Sequence, residues 1–303
     1  MSARFRGWTR PGPLPPGATG DVVDDDGRPV LVEAGETLDW LAGHFRIFQY
    51  EQGHRFSVDD VLCAWFATSH APRVDRALDL GSGIGSVAMT VAWRLPGCAM
   101  ATLEAQEISL RLARKSLAYN GLRGRVTPYL GDLRDDALVD DIVARHGPFD
   151  LVTGSPPYWP VGAALPSVHA QAVPARLEVR GDVGDYARAA ARALAPGGVF
   201  GLVHQASQHE RVLAALSAAA LVPLFVRLVR FKEDAPPSVS GIGLYVAARA
   251  VDVPRGYAEG RPGKPVVAPD LVLRRRDGGV HPEYATIRLT YGFPPGDADP
   301  DER

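Results

Sequence analysis

The stretch DLGSGIG at residues 79–85 decides the fold of this chain. It overlaps a short apolar segment at residues 76–80 and precedes a helical pattern that begins at Ser86. Glycines in such a position allow the backbone to turn sharply and to approach a ligand in front of a helix N-terminus. A strand, a glycine loop and a helix in this order indicate an α/β fold with a ligand site at the loop.

Outward from this loop, apolar strand-like segments alternate with helical patterns. Strands are predicted at 76–80, 99–103, 126–130, 149–153, 199–203, 224–231 and 242–247, and helices at 86–95, 109–120, 138–146, 185–194 and 208–220. This alternation predicts βαβ units and a parallel sheet. The last two strands have only a short, Pro-rich connection, which predicts an antiparallel last strand. We therefore expect an α/β fold with a doubly wound, mostly parallel seven-stranded sheet that binds ligands at the carboxyl ends of its strands.

Composition separates a central domain from two polar ends. Residues 1–36 are rich in Pro, Gly and acidic side chains, which predicts a poorly ordered arm, and residues 293–303 predict a flexible tail. The domain expected between them, 37–292, comprises a lead-in at 37–75, the core sheet at 76–250 and a C-terminal extension at 251–292.

The overall composition is that of a soluble globular protein, with 46% hydrophobic residues, 22% charged residues and a net charge of −2. Two isolated cysteines and eight histidines without ligand spacing give no support for a disulfide framework or a metal site. No apolar run approaches the roughly 18 residues that a membrane span needs. We therefore expect a cytoplasmic protein with neither a membrane partner nor a metal.

The near-neutral total hides a basic block at residues 223–292, which carries 11 basic and seven acidic residues. Such a block is typical of a surface that contacts RNA phosphates, but a solvated run of charges has the same composition. The candidate phosphate contacts are Arg227, Arg230, Lys232, Arg274, Arg275 and Arg276.

Acidic residues stand at or near the ends of the first three predicted strands. The glycine spacing differs from that of dinucleotide folds, because Ser86 stands where a Gly or Ala is expected. Glu104 stands where an acidic residue holds ribose hydroxyls, and Asp132 could accept from an adenine amino group. Together these positions resemble the S-adenosylmethionine site of class I methyltransferases, which implies a Rossmann-like fold and this cofactor. The set comprises Asp79, Gly81, Gly83, Gly85, Glu104 and Asp132.

The tetrapeptide Ser155-Pro156-Pro157-Tyr158 directly follows the fourth predicted strand. Consecutive prolines fix φ and remove donors, so the carbonyl groups of Ser155 and Pro156 would remain free to accept hydrogen bonds in a pocket. Acceptors on both hydrogens of a planar amine would help to localise its lone pair, and Tyr158 offers a stacking surface. A Pro-rich loop with an aromatic plug is the simpler interpretation. The tetrapeptide resembles the [D/N/S]-P-P-[Y/F/W] motif, which implies an amino-group methyltransferase without a dedicated general base.

The first position of this motif leaves the methylated group open. The related adenine-N6 enzymes mostly have Asn there, whereas serine is commoner in the cytosine-N4 subgroup. Cytosine N4, guanine N2 and a protein amide therefore stay as alternatives to adenine N6.

Residues 37–59 are similar to the N-terminal signature of the bacterial tRNA (valine) adenine-N6 methyltransferases. The resemblance implies a tRNA substrate, and it places Arg55 and Phe56 at the cofactor, before a helix predicted at 59–68. The same residues also fit a capped amphipathic helix, with Phe56 as a packing residue. A protein glutamine-N5 methyltransferase and a non-catalytic RNA-binding protein on the same fold are the alternative functions.

Overall fold

The computed structural model describes residues 8–71, 73–160, 162, 171, 173, 177–235, 241–253 and 264–297. The domain begins with an antiparallel hairpin of β1 (Glu36–Ala42) and β2 (Phe45–Tyr50). Its two-residue turn contains Gly43 at φ +48°, in the left-handed region that favours glycine. The hairpin, which the sequence analysis did not predict, leads into helix α1 (Val58–His70).

A nine-stranded sheet follows. Its strands are β3 (Arg76–Leu80), β4 (Ala99–Glu104), β5 (Val126–Leu130), β6 (Phe149–Gly154), β7 (Leu194–Gln205), β8 (Leu221–Arg230), β9 (Ile242–Arg249), β10 (Val266–Val267) and β11 (Leu271–Val272). The order is β10-β8-β9-β7-β6-β3-β4-β5, and β11 also pairs with β8. Strand β9 is antiparallel to both β7 and β8, whereas the other pairs in this sheet are parallel. The predicted mostly parallel α/β fold with its antiparallel last long strand is confirmed, and two short edge strands add to the seven expected.

Helices cover both faces of the sheet. They are α2 (Ser86–Arg94), α3 (Glu107–Tyr119), α4 (Asp136–His146), α5 (Val183–Ala193), α6 (His209–Ala218) and α7 (Pro282–Thr290). Alternating side chains divide the core, because Ala77 packs with α1, α2 and α3 while Leu78 packs with α4, α5 and α6. All parallel strands therefore end at one edge, where β3 leads into the glycine loop and β6 leads into Ser155.

The described part of the predicted arm, residues 8–36, packs on the domain through specific contacts. The Nζ of Lys115 on α3 lies 3.0 Å from Glu33 Oε1 and 2.6 Å from Glu36 Oε2. Val30 is buried in the core. These acidic residues are therefore held by basic partners on a helix about 80 positions away, a pairing that composition alone does not reveal. At the other end, Asp297 accepts from the backbone N–H of Val280 at 2.7 Å.

No helix in the described ranges combines the length and the apolar character that a membrane crossing requires.

Candidate active site

The glycine loop forms one wall of a cavity at the carboxyl edge of the sheet. Gly81 and Gly83 have φ of +58° and +55°, and both line this cavity. A Cβ on Gly81 would lie 1.8 Å from the Tyr186 hydroxyl, so a larger residue would displace that ring. Gly85, the N-cap of α2 at φ +85°, shapes the turn and faces Ala113 of α3.

Two predicted acidic residues are buried in the wall of this cavity. Asp79 accepts from Thr153 Oγ1 at 2.7 Å and from the Ala88 N–H at 3.2 Å. Glu104 accepts from the N–H groups of Gly83 and Gln106, both at 2.7 Å. Burial raises the pKa of Asp79 to about 7 and also raises the pKa of Glu104, because the low-dielectric surroundings disfavour the charged forms.

A third buried carboxyl group, that of Asp60, was missed by the sequence analysis. It reaches the cavity from the first turn of α1, where its Oδ2 accepts from Ser57 N at 3.1 Å and from Ser86 Oγ at 3.0 Å. Ser57 and Asp60 form a reciprocal capping box. The S-x-x-D spacing before an apolar run was the available signal for this contact.

The other predicted cofactor residues have different surroundings. Asp132 lies between two lining residues, but Arg134 Nη2 holds its carboxylate at 2.6 Å, and this bond lowers the pKa of Asp132. Arg55 binds Asp39 at 2.9 Å, and Phe56 packs against the core. Neither Arg55 nor Phe56 belongs to the cavity wall, so their expected cofactor contact is absent from the described geometry. The helix-cap interpretation accounts for this segment, because Ser57 is the N-cap of α1.

The polar and charged residues that line this cavity fit S-adenosylmethionine. Asp60, Asp79 and Glu104 supply negative charge where a sulfonium and an ammonium group need compensation. Ser82 Oγ is buried at the cavity without a hydrogen-bond partner among the described residues, and a ligand could satisfy it. Arg180 stands at the wall as a basic partner for a ligand carboxylate.

A second cavity of about 300 Å³ contains the predicted catalytic tetrapeptide. Ser155, Pro156, Pro157 and Tyr158 all line it. The Tyr158 hydroxyl donates to Asp59 Oδ2 at 2.8 Å, and the ring centroids of Tyr158 and His204 are 5.1 Å apart. Burial lowers the pKa of His204 to about 4 and raises the pKa of Asp59 to about 6. The hydrogen bond to Asp59 and the contact with the ring of His204 therefore hold Tyr158 in place, and His204 is neutral at neutral pH.

The two cavities share a common wall. His54, Asp60, Ser155 and Pro157 line both of them. A ligand in the first cavity and a planar group in the second would therefore face each other at these four residues.

The predicted phosphate contacts lie among acidic side chains. Five of the six form ion pairs: Arg227–Glu283 at 2.7 Å, Arg230–Asp270 at 3.3 Å, Lys232–Asp234 at 3.4 Å, Arg275–Asp297 at 3.4 Å and Arg276–Glu233 at 3.9 Å. Arg274 donates to the Gly278 carbonyl. The positive charges of these five residues are thus locally compensated. Among the residues that the structure describes, no group of three His, Cys, Asp or Glu side chains could hold a metal ion.

Comparison with known proteins gives one family match and several relatives. A family model described as "Methyltransferase small domain" matches residues 60–220. A release factor glutamine methyltransferase from Gloeobacter violaceus is 32% identical over 47% of this chain and 50% of its own length. A tRNA1(Val) (adenine(37)-N6)-methyltransferase from Aeromonas hydrophila is 29% identical over 50% of this chain and 60% of its own length.

A third relative, a 4-amino-L-phenylalanine/4-methylamino-L-phenylalanine methyltransferase from Streptomyces pristinaespiralis, is 33% identical over 46% of this chain and 47% of its own length. The chain therefore spans about half the length of the curated relatives it matches. Among solved structures, a predicted O-methyltransferase from Agrobacterium tumefaciens is 18% identical, with a TM-score of 0.57 over 78% of this chain and 97% of that chain. This likeness concerns the fold.

Proposed function

We propose a function for this chain from one premise, namely that it belongs to the methyltransferase small domain family. The function is S-adenosylmethionine-dependent methyl transfer to the nitrogen of a planar exocyclic amine, most specifically adenine N6 in tRNA. The observation that carries it is the common wall of the two cavities, at which Ser155 and Pro157 stand between a cofactor cavity and a substrate cavity.

The chemistry needs positioning more than acid–base catalysis. S-adenosylmethionine would supply the methyl group of its sulfonium, and the carbon–sulfur electron pair would go to sulfur as the substrate nitrogen formed the new bond and one N–H proton left to water. The Pro156 carbonyl group would accept one amine hydrogen and raise the availability of the nitrogen lone pair. Tyr158, held by Asp59, would stack on the planar substrate.

The choice of acceptor class rests on the relatives. The printed names of three relatives give adenine N6, a glutamine and the amino group of 4-amino-L-phenylalanine as the methylated groups. Each of these nitrogens is attached to a planar conjugated system. An unpaired loop base can be splayed into a pocket at low cost. This favours RNA as the substrate that enters the second cavity. The glutamine relative is at least as similar in sequence, so a protein amide is the second candidate.

The experiment is a transfer assay with methyl-labelled S-adenosylmethionine. The protein is incubated separately with bulk tRNA and with release factor, and the tRNA is digested to nucleosides. We expect label in N6-methyladenosine, and a Tyr158→Ala variant as a control should reduce it. Label in N4-methylcytosine or in N2-methylguanosine would replace adenine by another base, and label only in the protein would overturn the RNA substrate.

A further inference from the structure

The common wall of the two cavities contains a single carboxyl group among its four residues, that of Asp60. It comes from α1, outside the tetrapeptide. Ser57 N and Ser86 Oγ both bind its Oδ2. Its Oδ1 has no hydrogen bond within the described parts of the chain, although the side chain lines both cavities.

The tetrapeptide has lost an acceptor at its first position. A planar amine presents two hydrogens, and both need acceptors if its lone pair is to be freed for attack. Asn or Asp at position 155 would offer a side-chain carbonyl oxygen. Ser155 instead carries a shorter hydroxyl group that is also a donor. A side-chain acceptor for the second hydrogen must therefore come from another part of the wall.

We propose that Asp60 Oδ1 accepts one hydrogen of the target amine and so replaces the acceptor that Ser155 lacks. This assignment rests on the proposed methyl transfer to an amine or amide nitrogen. Two bonds to Oδ2 hold the carboxylate in one orientation, and Oδ1 is the oxygen left to accept from a ligand in the cavities that Asp60 lines. Burial raises the pKa of Asp60, and the positive charge of a sulfonium in the neighbouring cavity would favour its ionised form.

A single isosteric change separates this role from helix capping. In Asp60→Asn the amide oxygen must stay at the Oδ2 position, because the Ser57 N–H needs an acceptor there. The NH₂ group then occupies the Oδ1 position and presents donors to a target amine. The helix cap is therefore retained, whereas the group at the Oδ1 position changes from an acceptor to a donor that repels the hydrogens of the target amine. A purely structural Asp60 would tolerate this change.

The test compares wild type, Asp60→Asn and the double variant Asp60→Asn/Ser155→Asn, each with the acceptor that wild type methylates. We expect kcat of Asp60→Asn to fall about 100-fold, with the melting temperature retained and the Kd for S-adenosylhomocysteine within about threefold of wild type. Ser155→Asn restores the carbonyl oxygen at the first position of the motif. It should therefore recover at least about tenfold of the lost turnover, as expected if the two acceptors substitute for each other.

The failures are distinguishable. Wild-type kcat in Asp60→Asn, or no recovery in the double variant, would overturn the Asp60 assignment and leave the proposed function intact. Loss of S-adenosylhomocysteine binding in Asp60→Asn without a change in the kcat of saturated enzyme would make Asp60 a cofactor contact and would also overturn it. A wild-type protein that methylates neither tRNA, release factor nor an arylamine would overturn the proposed function and the Asp60 role together.

Discussion

The burial of Asp79 in the wall of the cofactor cavity lowers the free energy of unfolding of the ligand-free protein when this carboxyl group is ionised. Its pKa is raised from 3.8 to about 7 by burial. The folded protein therefore binds a proton that the unfolded chain has released between about pH 4 and pH 7, and the free energy of unfolding falls as pH rises through this range. A carboxyl group with this cost is expected where a cationic ligand compensates it.

Replacing Asp79 by Asn should remove this part of the pH dependence. Asp79 alone should lower the wild-type free energy of unfolding by about 1 kcal/mol between pH 6 and pH 8. We expect a smaller decrease for Asp79→Asn, together with a loss of S-adenosylmethionine binding. Urea unfolding at the two pH values measures the first effect and calorimetry the second. If the free energy of unfolding of the variant decreased as much as that of wild type, the pH dependence would belong to another titratable group.

Tyr158 should contribute mainly through its ring. Tyr158→Ala removes the stacking surface, so kcat/KM should fall about 10- to 100-fold, as stacking on one base is worth roughly 1–3 kcal/mol. Cofactor binding should be retained, because Tyr158 lines the substrate cavity only. Tyr158→Phe keeps the ring and loses the bond to Asp59, so it should have intermediate activity. Steady-state kinetics would contradict the stacking role if Tyr158→Ala were fully active.

The residues that sequence analysis found were those whose function requires a particular residue type. Gly81 and Gly83 adopt left-handed φ, and Glu104 is the last residue of β4, so each has a local signature. Asp60 reaches the cavity because α1 lies against Ser86, a relation that the linear sequence contains only as a helix cap. Arg55 was expected at the cofactor by resemblance, and its bond to Asp39 on the unpredicted strand β1 could not be foreseen.

At the scale of elements, substitutions in the glycine loop can distinguish the stability cost of a left-handed φ from the loss of space for a ligand. A Cβ on Gly83 would meet no atom within 4 Å, yet it would enter the cofactor cavity. Gly83→Ala should therefore cost about 1 kcal/mol of stability from its left-handed φ and weaken S-adenosylhomocysteine binding at least about tenfold. Gly27→Ala is the matched control, because Gly27 has φ +78° and open space outside this cavity. Similar affinities for both variants would contradict the assignment of the loop.

Short strands with a clear apolar segment were predicted with the bounds that the structure has, as β3 and β5 illustrate. The β1–β2 hairpin was missed because Asp39 and Gln49, which hydrogen-bond to each other across its strands, interrupt the apolar pattern. The start of α3 was also misplaced. The helix was predicted to begin at residue 109, but it begins at Glu107, and Ser109 is buried and accepts from Gln171 Nε2. Tertiary contacts therefore decided these boundaries.

At the scale of the whole molecule, the direction of the strands determines which charged residues can reach a substrate. Strand β11 runs parallel to β8, and β8 runs in the same direction as β3 and β6 because the antiparallel β9 lies between β8 and β7. Residues that follow β11, including the exposed Arg274 and Arg276, thus emerge at the edge that carries Ser155. The exposed ion pair of Arg276 with Glu233 is worth at most about 1 kcal/mol, so a phosphate could displace this acidic partner.

This placement gives a test for RNA contact. Neutralising Arg274 and Arg276 to Ser should weaken tRNA binding and reduce the slope of log K against log salt by about 2, since each lost phosphate contact removes about one. The matched control neutralises Arg73 and Arg76, which lie at the opposite, amino-terminal edge of β3. Filter-binding titrations at several salt concentrations measure both variants. A slope equal to wild type for Arg274→Ser/Arg276→Ser would mean that these two arginines are solvated and do not contact RNA phosphates.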